Sequence, residues 1–296
     1  MRNKYQSFLF IILCVGLMLS LTGCNHVLLM QPKGVIAASE KNLILLSTLL
    51  MLLVVIPVII LTLVFAYKYR ATNTNARYDP DWHHNKYLEI IWWAIPCVII
   101  AILGTATWIT SHTLDPFKPL DPKIKPITIQ VIALDWKWLF IYPDQNIATV
   151  NFIEIPVNVP ISFEITSDAP MNSFWIPQLG GQIYAMAGMQ TRLHLMASTV
   201  GSYKGVSANF SGSGFSGMQF IAKATSAEEF KQWVTTVKQS PNLLNVDAYN
   251  KLAEPSEDNS VITYSPVENN LYNFEIMKYM MPNAQIQDSN SINMQM

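Results

Sequence analysis

Residues 207–218 read S-A-N-F-S-G-S-G-F-S-G-M, a stretch with the length of a metal loop. A binuclear copper loop needs two spaced thiolates to bridge the ions, then an imidazole and a thioether, in the pattern C-x-E-x-C-x-x-x-H-x-x-M. Soft sulfur and imidazole ligands suit copper because they match its polarisability. At the matching positions the chain has Ser207, Asn209, Ser211 and Phe215, and only the thioether of Met218 remains. A second imidazole would arrive from an earlier strand, in a phrase like H-S-F-x-I-P. Here that phrase is Asn172, Ser173, Phe174, Trp175, Ile176 and Pro177. The loop is therefore expected to be the outline of a copper site that binds no metal.

Other residues could do chemistry. Glu89 opens an apolar run, and an ionisable side chain near a membrane marks a proton or ion path by default. A carboxylate also suits a helix N-terminus through the dipole alone, so position leaves both readings open. Met186, Met189, Met196 and Met218 could supply thioethers, but methionine more often fills gaps in a core. His83, His84 and His112 lie near the edges of apolar runs with no spaced partners and read as solvated or interfacial. Trp136 and Trp138 alternate, which on one strand would give them a shared face. They read as large rings filling a core or capping a membrane-facing surface.

The elements that must position these residues are only partly aqueous. Of the 296 residues 51% are hydrophobic and 13% charged, about half the globular norm of roughly 25% charged. The three cysteines, Cys14, Cys24 and Cys97, fall within or at the edge of apolar segments, which excludes a disulfide framework. Residues 1–23 have a basic start (Arg2, Lys4) and an apolar run, and Leu21-Thr22-Gly23-Cys24 follows. That is a lipoprotein signal peptide, with Cys24 as the thiol that receives lipid. Residues 24–41 form an outer N-terminal segment. Residues 42–67 contain no charge over 26 positions, and as a helix they would span roughly 39 Å. They form a first transmembrane helix, with Pro57 inside it, and residues 89–111, with Pro96, form a second. Between them the loop 68–88 carries Lys68, Arg70, Arg77 and Lys86, and short loops rich in Lys and Arg stay in the cytoplasm. Two crossings then return the chain to the side where Cys24 is lipidated, which places residues 112–225 in the periplasm of a bacterium, anchored at the inner membrane.

From residue 127 the pattern changes to β-rich runs: 127–142, 148–155, 161–166, 191–196 and 219–224. Pro, Gly and Asn punctuate them, as in an antiparallel sandwich. Residues 226–283 form a C-terminal extension with helices at 227–238 and 246–253 and an aromatic-bearing segment (Tyr272, Phe274, Tyr279). Residues 284–296 are a polar, flexible tail.

Several phrases fit one known pattern in order and spacing: the 207–218 loop, the 172–177 phrase, D-W-K-W-L-F-I-Y at 135–142, Q-I-Y-A-M-A-G-M-Q-T at 182–191, and L-E-I-I-W-W-A-I-P at 88–96. On these the chain resembles subunit II of the haem–copper terminal oxidases, in the branch that takes electrons from quinol. The nearest pattern is that of the cytochrome bo-type ubiquinol oxidases, which lack the binuclear copper site. The resemblance implies a two-helix transmembrane hairpin followed by an all-β cupredoxin-like sandwich with a C-terminal helical extension. It implies a non-metal-bearing subunit of a proton-translocating quinol:oxygen oxidoreductase, with haems and copper in subunit I and no cofactor in this chain. At the place of Glu89 the family's glutamate opens a proton channel leading into subunit I. Expected partners are subunit I, other integral subunits, quinol as substrate of the complex, and membrane lipid, with neither nucleic acid nor cytochrome c.

Charge agrees with a membrane-dissolved donor. Residues 120–225 contain six acids (Asp121, Asp135, Asp144, Glu154, Glu164, Asp168) and six bases (Lys123, Lys125, Lys137, Arg192, Lys204, Lys223). A surface that docks a basic cytochrome should be net acidic. The rival reading is a stand-alone membrane-anchored lipoprotein with a cupredoxin-like binding module. A proline within each span argues for permanent helix partners and against it.

Overall fold

The computed structural model describes residues 27–77, 80, 84–121 and 123–280. The signal peptide, Cys24, His83 and the tail at 284–296 lie outside the described residues. Two long helices come first, α1 (Val35–Lys68) and α2 (Lys86–Thr113). Both are long and apolar enough to cross a membrane. At 34 residues α1 measures about 51 Å, more than a bilayer core of about 30 Å requires. It starts well before residue 42 because its first turn docks on the following domain. Lys33 N donates to Gln178 O at 2.8 Å, Ala37 N donates to Leu179 O at 3.2 Å, and Gly34 bridges Ala197. α2 is started by Asn85, whose side-chain oxygen accepts from the Tyr87 and Leu88 N–H groups at 3.1 and 3.2 Å, as an N-cap should. Large apolar side chains such as Leu49, Leu63, Trp92 and Ile100 stand exposed along both helices.

The domain that follows is a sandwich of two sheets. Six strands lie in the order β11 (Ile262–Tyr264), β3 (Ile147–Val150), β2 (Lys137–Tyr142), β1 (Ile127–Leu134), β5 (Ile161–Ser167), β8 (Thr191–Leu195). Five lie in the order β4 (Phe152–Pro156), β10 (Gln219–Thr225), β9 (Gly201–Ser207), β6 (Asn172–Trp175), β7 (Ile183–Ala185). The sheets are mixed rather than purely antiparallel, since β1 runs parallel to β5 and β4 parallel to β10. Between them aromatic rings fill the core: Phe174 stacks on Phe220 at 5.1 Å, and the Trp138 ring stands edge-on to Phe174 at 5.4 Å.

Two expected strands are each split by a residue with positive φ. The run 127–142 breaks at Trp136 (φ 61), and the run 148–155 breaks at Asn151 (φ 55), where the chain leaves one sheet for the other. Asn tolerates this conformation through its short polar side chain, whereas for a bulky residue such as Trp it is an outlier that its surroundings must hold in place. Trp136 and Trp138 therefore share no strand face: the second is in the core and the first lies on a loop.

The outer face of the six-stranded sheet is also covered. α4 (Val246–Ala253) and α5 (Leu271–Met280) bring Leu244, Tyr249, Leu252, Leu271 and Tyr272 onto Ile132, Leu134, Leu139 and Ile141. Every residue of β2 is buried as a result, which explains the uninterrupted apolar run at 138–142. α3 (Ala227–Val237) begins with a capping box between Ser226 and Glu229 and packs against β4.

Candidate functional site

The loop at 207–218 connects β9 to β10 through a short 3₁₀ turn, Ser213–Gly217. Of the residues singled out, Ser207 at its start and Asn172 of β6 meet: Ser207 Oγ donates to Asn172 Oδ1 at 2.9 Å, with both residues buried. Asn172 Nδ2 is held by Pro170 O at 2.7 Å, and Asn209 Nδ2 by Met171 O at 2.8 Å. Met218 is buried and Phe215 turns to Phe210, with ring centroids 5.6 Å apart. Ser211 stands apart from that group, and its hydroxyl is buried without a hydrogen-bond partner. Hydroxyls, carboxamides and one thioether make a poor set for copper beside thiolate and imidazole. Among the described residues no group of three or more His, Cys, Asp or Glu is arranged to hold a metal ion.

Trp136 explains why the loop keeps its shape. Its indole N–H donates to Ser211 O at 3.2 Å, and the ring lies close against Gly212 and Gly214. A Cβ at Gly214 would stand 2.5 Å from Trp136 Cγ, so only glycine permits the contact. The long reach from Trp136 to Ser211 has no signal in sequence spacing.

Glu89 sits in the first turn of α2, and His84 pairs with it, Nδ1 to Oε1 at 2.6 Å. That corrects the expectation that His84 has no partner: the Asn85 cap turns the chain back so that residue 84 reaches residue 89. Glu89, Trp93 and Cys97 line one shallow groove along α2 with Lys86, Ile90 and Ala94. His112 is held in its own helix, its Nδ1 2.7 Å from Trp108 O.

A second polar cluster, not foreseen from the sequence, joins α5 to the sandwich. Asp168 follows β5 and receives Lys278 Nζ at 2.7 Å, Tyr249 OH at 2.9 Å, and the Tyr279 hydroxyl. Lys278 also donates to Glu275 Oε1 at 2.9 Å, while Glu275 Oε2 is buried and receives no donor. Burial pushes the Glu275 carboxyl up to about 7, with neighbouring Asp168 adding to the rise and Lys278 opposing it. Burial also works against ionised Asp168, but hydrogen bonds from Lys278 and the two tyrosines outweigh it and hold that carboxyl below its ordinary value. Lys278 thus bridges the two carboxyls, with Asp168 the better supplied with donors.

Lys137 is buried as well, its Nζ donating to Glu254 O at 2.7 Å. Burial lowers its pKa, partly offset by Asp135 and Glu254. It ties the D-W-K-W turn to the segment after α4.

Comparison with known proteins supplies the context. The chain matches the family model for the cytochrome c oxidase subunit II transmembrane domain over residues 34–108 and that for the COX aromatic rich motif over residues 238–283. It is 52% identical to the cytochrome bo(3) ubiquinol oxidase subunit 2 of Pseudomonas aeruginosa over 277 residues, covering 94% of this chain and 83% of that one. To the protein of the same name from Pseudomonas putida it is 56% identical over 278 residues, covering 94% and 88%. Among solved structures it is similar to the periplasmic domain of subunit II of cytochrome oxidase of Bradyrhizobium japonicum. That likeness has 23% identity and a TM-score of 0.36, and it covers 37% of this chain and 91% of that one.

Proposed function

This chain belongs to the ubiquinol oxidase subunit 2 family, and from that premise we propose that it braces subunit I of a proton-pumping quinol oxidase and contributes a proton-entry carboxylate, with no redox metal of its own. The complex oxidises quinol, ubiquinol on the strength of the kinship, and reduces oxygen to water. Its haems and copper belong to subunit I. The observation that carries the reading is kinship over 94% of the chain, supported by the hydrogen bond that joins Ser207 to Asn172.

Each part has a place in this division of labour. α1 and α2, apolar on their exposed faces, pack against the spans of subunit I. The sandwich covers the periplasmic side, with Phe210 and Phe215 at the tip of the closed loop. Glu89, at the cytoplasmic start of α2, gathers protons from bulk water together with His84 and passes them along the groove toward subunit I. Cys24 carries lipid after removal of residues 1–23, and the chain sits in the bacterial inner membrane with its C-terminal domain outside. Copper deposited in the loop would need thiolates and imidazoles, and Asn172, Ser207, Asn209, Ser211, Phe215 and Met218 offer one thioether among hard or apolar groups. Electrons from cytochrome c therefore have no entry here.

The test is purification of the tagged chain from membranes in mild detergent. It should bring down a haem-bearing large subunit and quinol oxidase activity. A chain that purifies alone and without haem would favour a free-standing lipoprotein instead.

A further inference from the structure

Where the two spans meet the sandwich, a pocket of about 280 Å³ opens between the start of α1, the end of α2 and the β8 edge. Its depth in the bilayer follows from the helices. Ile36 and Glu40 lie in the first turns of α1 and Thr113 ends α2, while the exposed apolar stretch of α1 begins at Ile44. The pocket thus sits at the boundary between hydrocarbon and the polar layer that brings the bilayer to about 40–45 Å.

Its polar groups come from α1, from the turn after α2 and from β8. Burial raises the Glu40 pKa, opposed by a bond from the Gly181 backbone, which approaches so closely that a Cβ there would stand 2.8 Å from Glu40 Oε1. Asp115 accepts from Phe117 N at 2.9 Å, and Lys118 N donates to Asp115 O at 3.0 Å, so one turn presents an anion beside a cation. His194, buried on β8, pins that turn with Nδ1 3.0 Å from Pro116 O. Among the described residues, neither Glu40, Asp115 nor Lys118 joins a salt bridge.

Two acids and one base, Glu40, Asp115 and Lys118, line this pocket and define a complementary ligand. We propose that this pocket binds the phosphoethanolamine headgroup of a membrane phospholipid, its primary ammonium on Glu40 and Asp115 and its phosphate on Lys118. A primary ammonium carries three donors that carboxylates satisfy, and Lys is a point-charge partner for phosphate. A choline headgroup fits less well, because quaternary ammonium is held by aromatic faces and no Trp, Tyr or Phe lines the pocket. An anionic glycerol headgroup has no ammonium to offset the two carboxylates. The proposal rests on α1 and α2 being membrane spans.

Native mass spectrometry of the delipidated oxidase complex tests it, with phosphatidylethanolamine, phosphatidylcholine and phosphatidylglycerol of matched chains added in turn. The wild-type complex should retain one phosphatidylethanolamine more than the Glu40→Gln, Asp115→Asn double variant at equal haem content, with retention about tenfold weaker in the variant. Lys118→Met should weaken it separately. Added glycerophosphoethanolamine should compete only at high concentration, since it lacks the acyl chains. Equal retention of all three lipids by wild type and variant would overturn the proposal. So would an equal preference for phosphatidylethanolamine in both. A wild-type chain that leaves the membrane without detergent would instead refute the spans.

Discussion

Ser207 Oγ donates to Asn172 Oδ1 at 2.9 Å, joining two strands of the five-stranded sheet at the point where the loop departs. In a chain with thiolate and imidazole at these positions the same separation would be bridged by metal. Here a neutral hydrogen bond spans it. Metal analysis of the purified complex should find no copper attributable to this chain. Replacing Asn172 and Phe215 with His, Ser207 and Ser211 with Cys, and Asn209 with Glu should create a coloured binuclear centre on the retained frame. A folded but colourless five-fold variant would count against the correspondence of positions. Ser207→Ala alone leaves the Asn172 carbonyl oxygen short of a donor, at a cost of about 1–3 kcal/mol, readable as a lower midpoint in denaturant.

Gly214→Ala tests the seating of Trp136. The new methyl would meet the indole at 2.5 Å, and the neighbouring backbone has little room to yield. A loss of about 1–3 kcal/mol is expected, as for overpacking generally, together with faster proteolysis within 207–218. Unchanged stability and unchanged cleavage would mean that the indole is not what holds the loop.

The sequence made the large features legible for physical reasons. Runs as long and apolar as 42–67 and 90–111 are long enough as helices to cross a membrane, and the capped helices at 227–238 and 246–253 carry local signals that tertiary packing need not override. Observed helices are Ala227–Val237 and Val246–Ala253. The split of 127–142 was hidden because β2 is buried on both faces and Lys137 is turned inward to Glu254 O. One of the six bases of residues 120–225, it is buried and adds nothing to the outer charge. Likewise β6 and β9 escaped notice because Gly, Ser and Asn dilute their patterns. The pairing of Asp168 with Lys278 spans 110 positions, and no local rule reaches so far.

That cluster predicts a pH dependence. The Glu275 carboxyl, pushed up to about 7 from an ordinary 4.5, keeps in the folded state a proton that the unfolded chain releases. Its contribution is full below 4.5 and is lost as pH rises toward 7, because stability falls wherever the folded state binds more protons. Asp168 acts oppositely: its carboxyl lies below its ordinary 3.8, so its contribution is lost only in stronger acid. Attachment of α5 should therefore weaken between about pH 5 and pH 8, measurable as faster amide exchange in residues 271–280. Glu275→Gln mimics the protonated acid, since its carboxamide can donate to Asp168 and accept from Lys278. It should flatten that dependence, and an unchanged slope in the variant would exclude Glu275 as its source.

Glu89 decides the proton-entry part of the proposal. Its side chain is half exposed and pairs with His84 at 2.6 Å, so water can reach it. Glu89→Gln removes the exchangeable proton but leaves the Asn85 cap, the Pro96 site and the packing of α2 largely intact. Normal assembly and haem content are expected, with quinol oxidation several-fold slower. Glu89→Asp should retain more activity, because it keeps the acid and shortens the reach by a single methylene. If the carboxylate only complements the helix dipole, the cost should be about 0.3–1 kcal/mol of stability, with turnover per assembled complex unchanged. Turnover normalised to haem in the Gln variant separates the two, and a wild-type value there would end the proton-entry role.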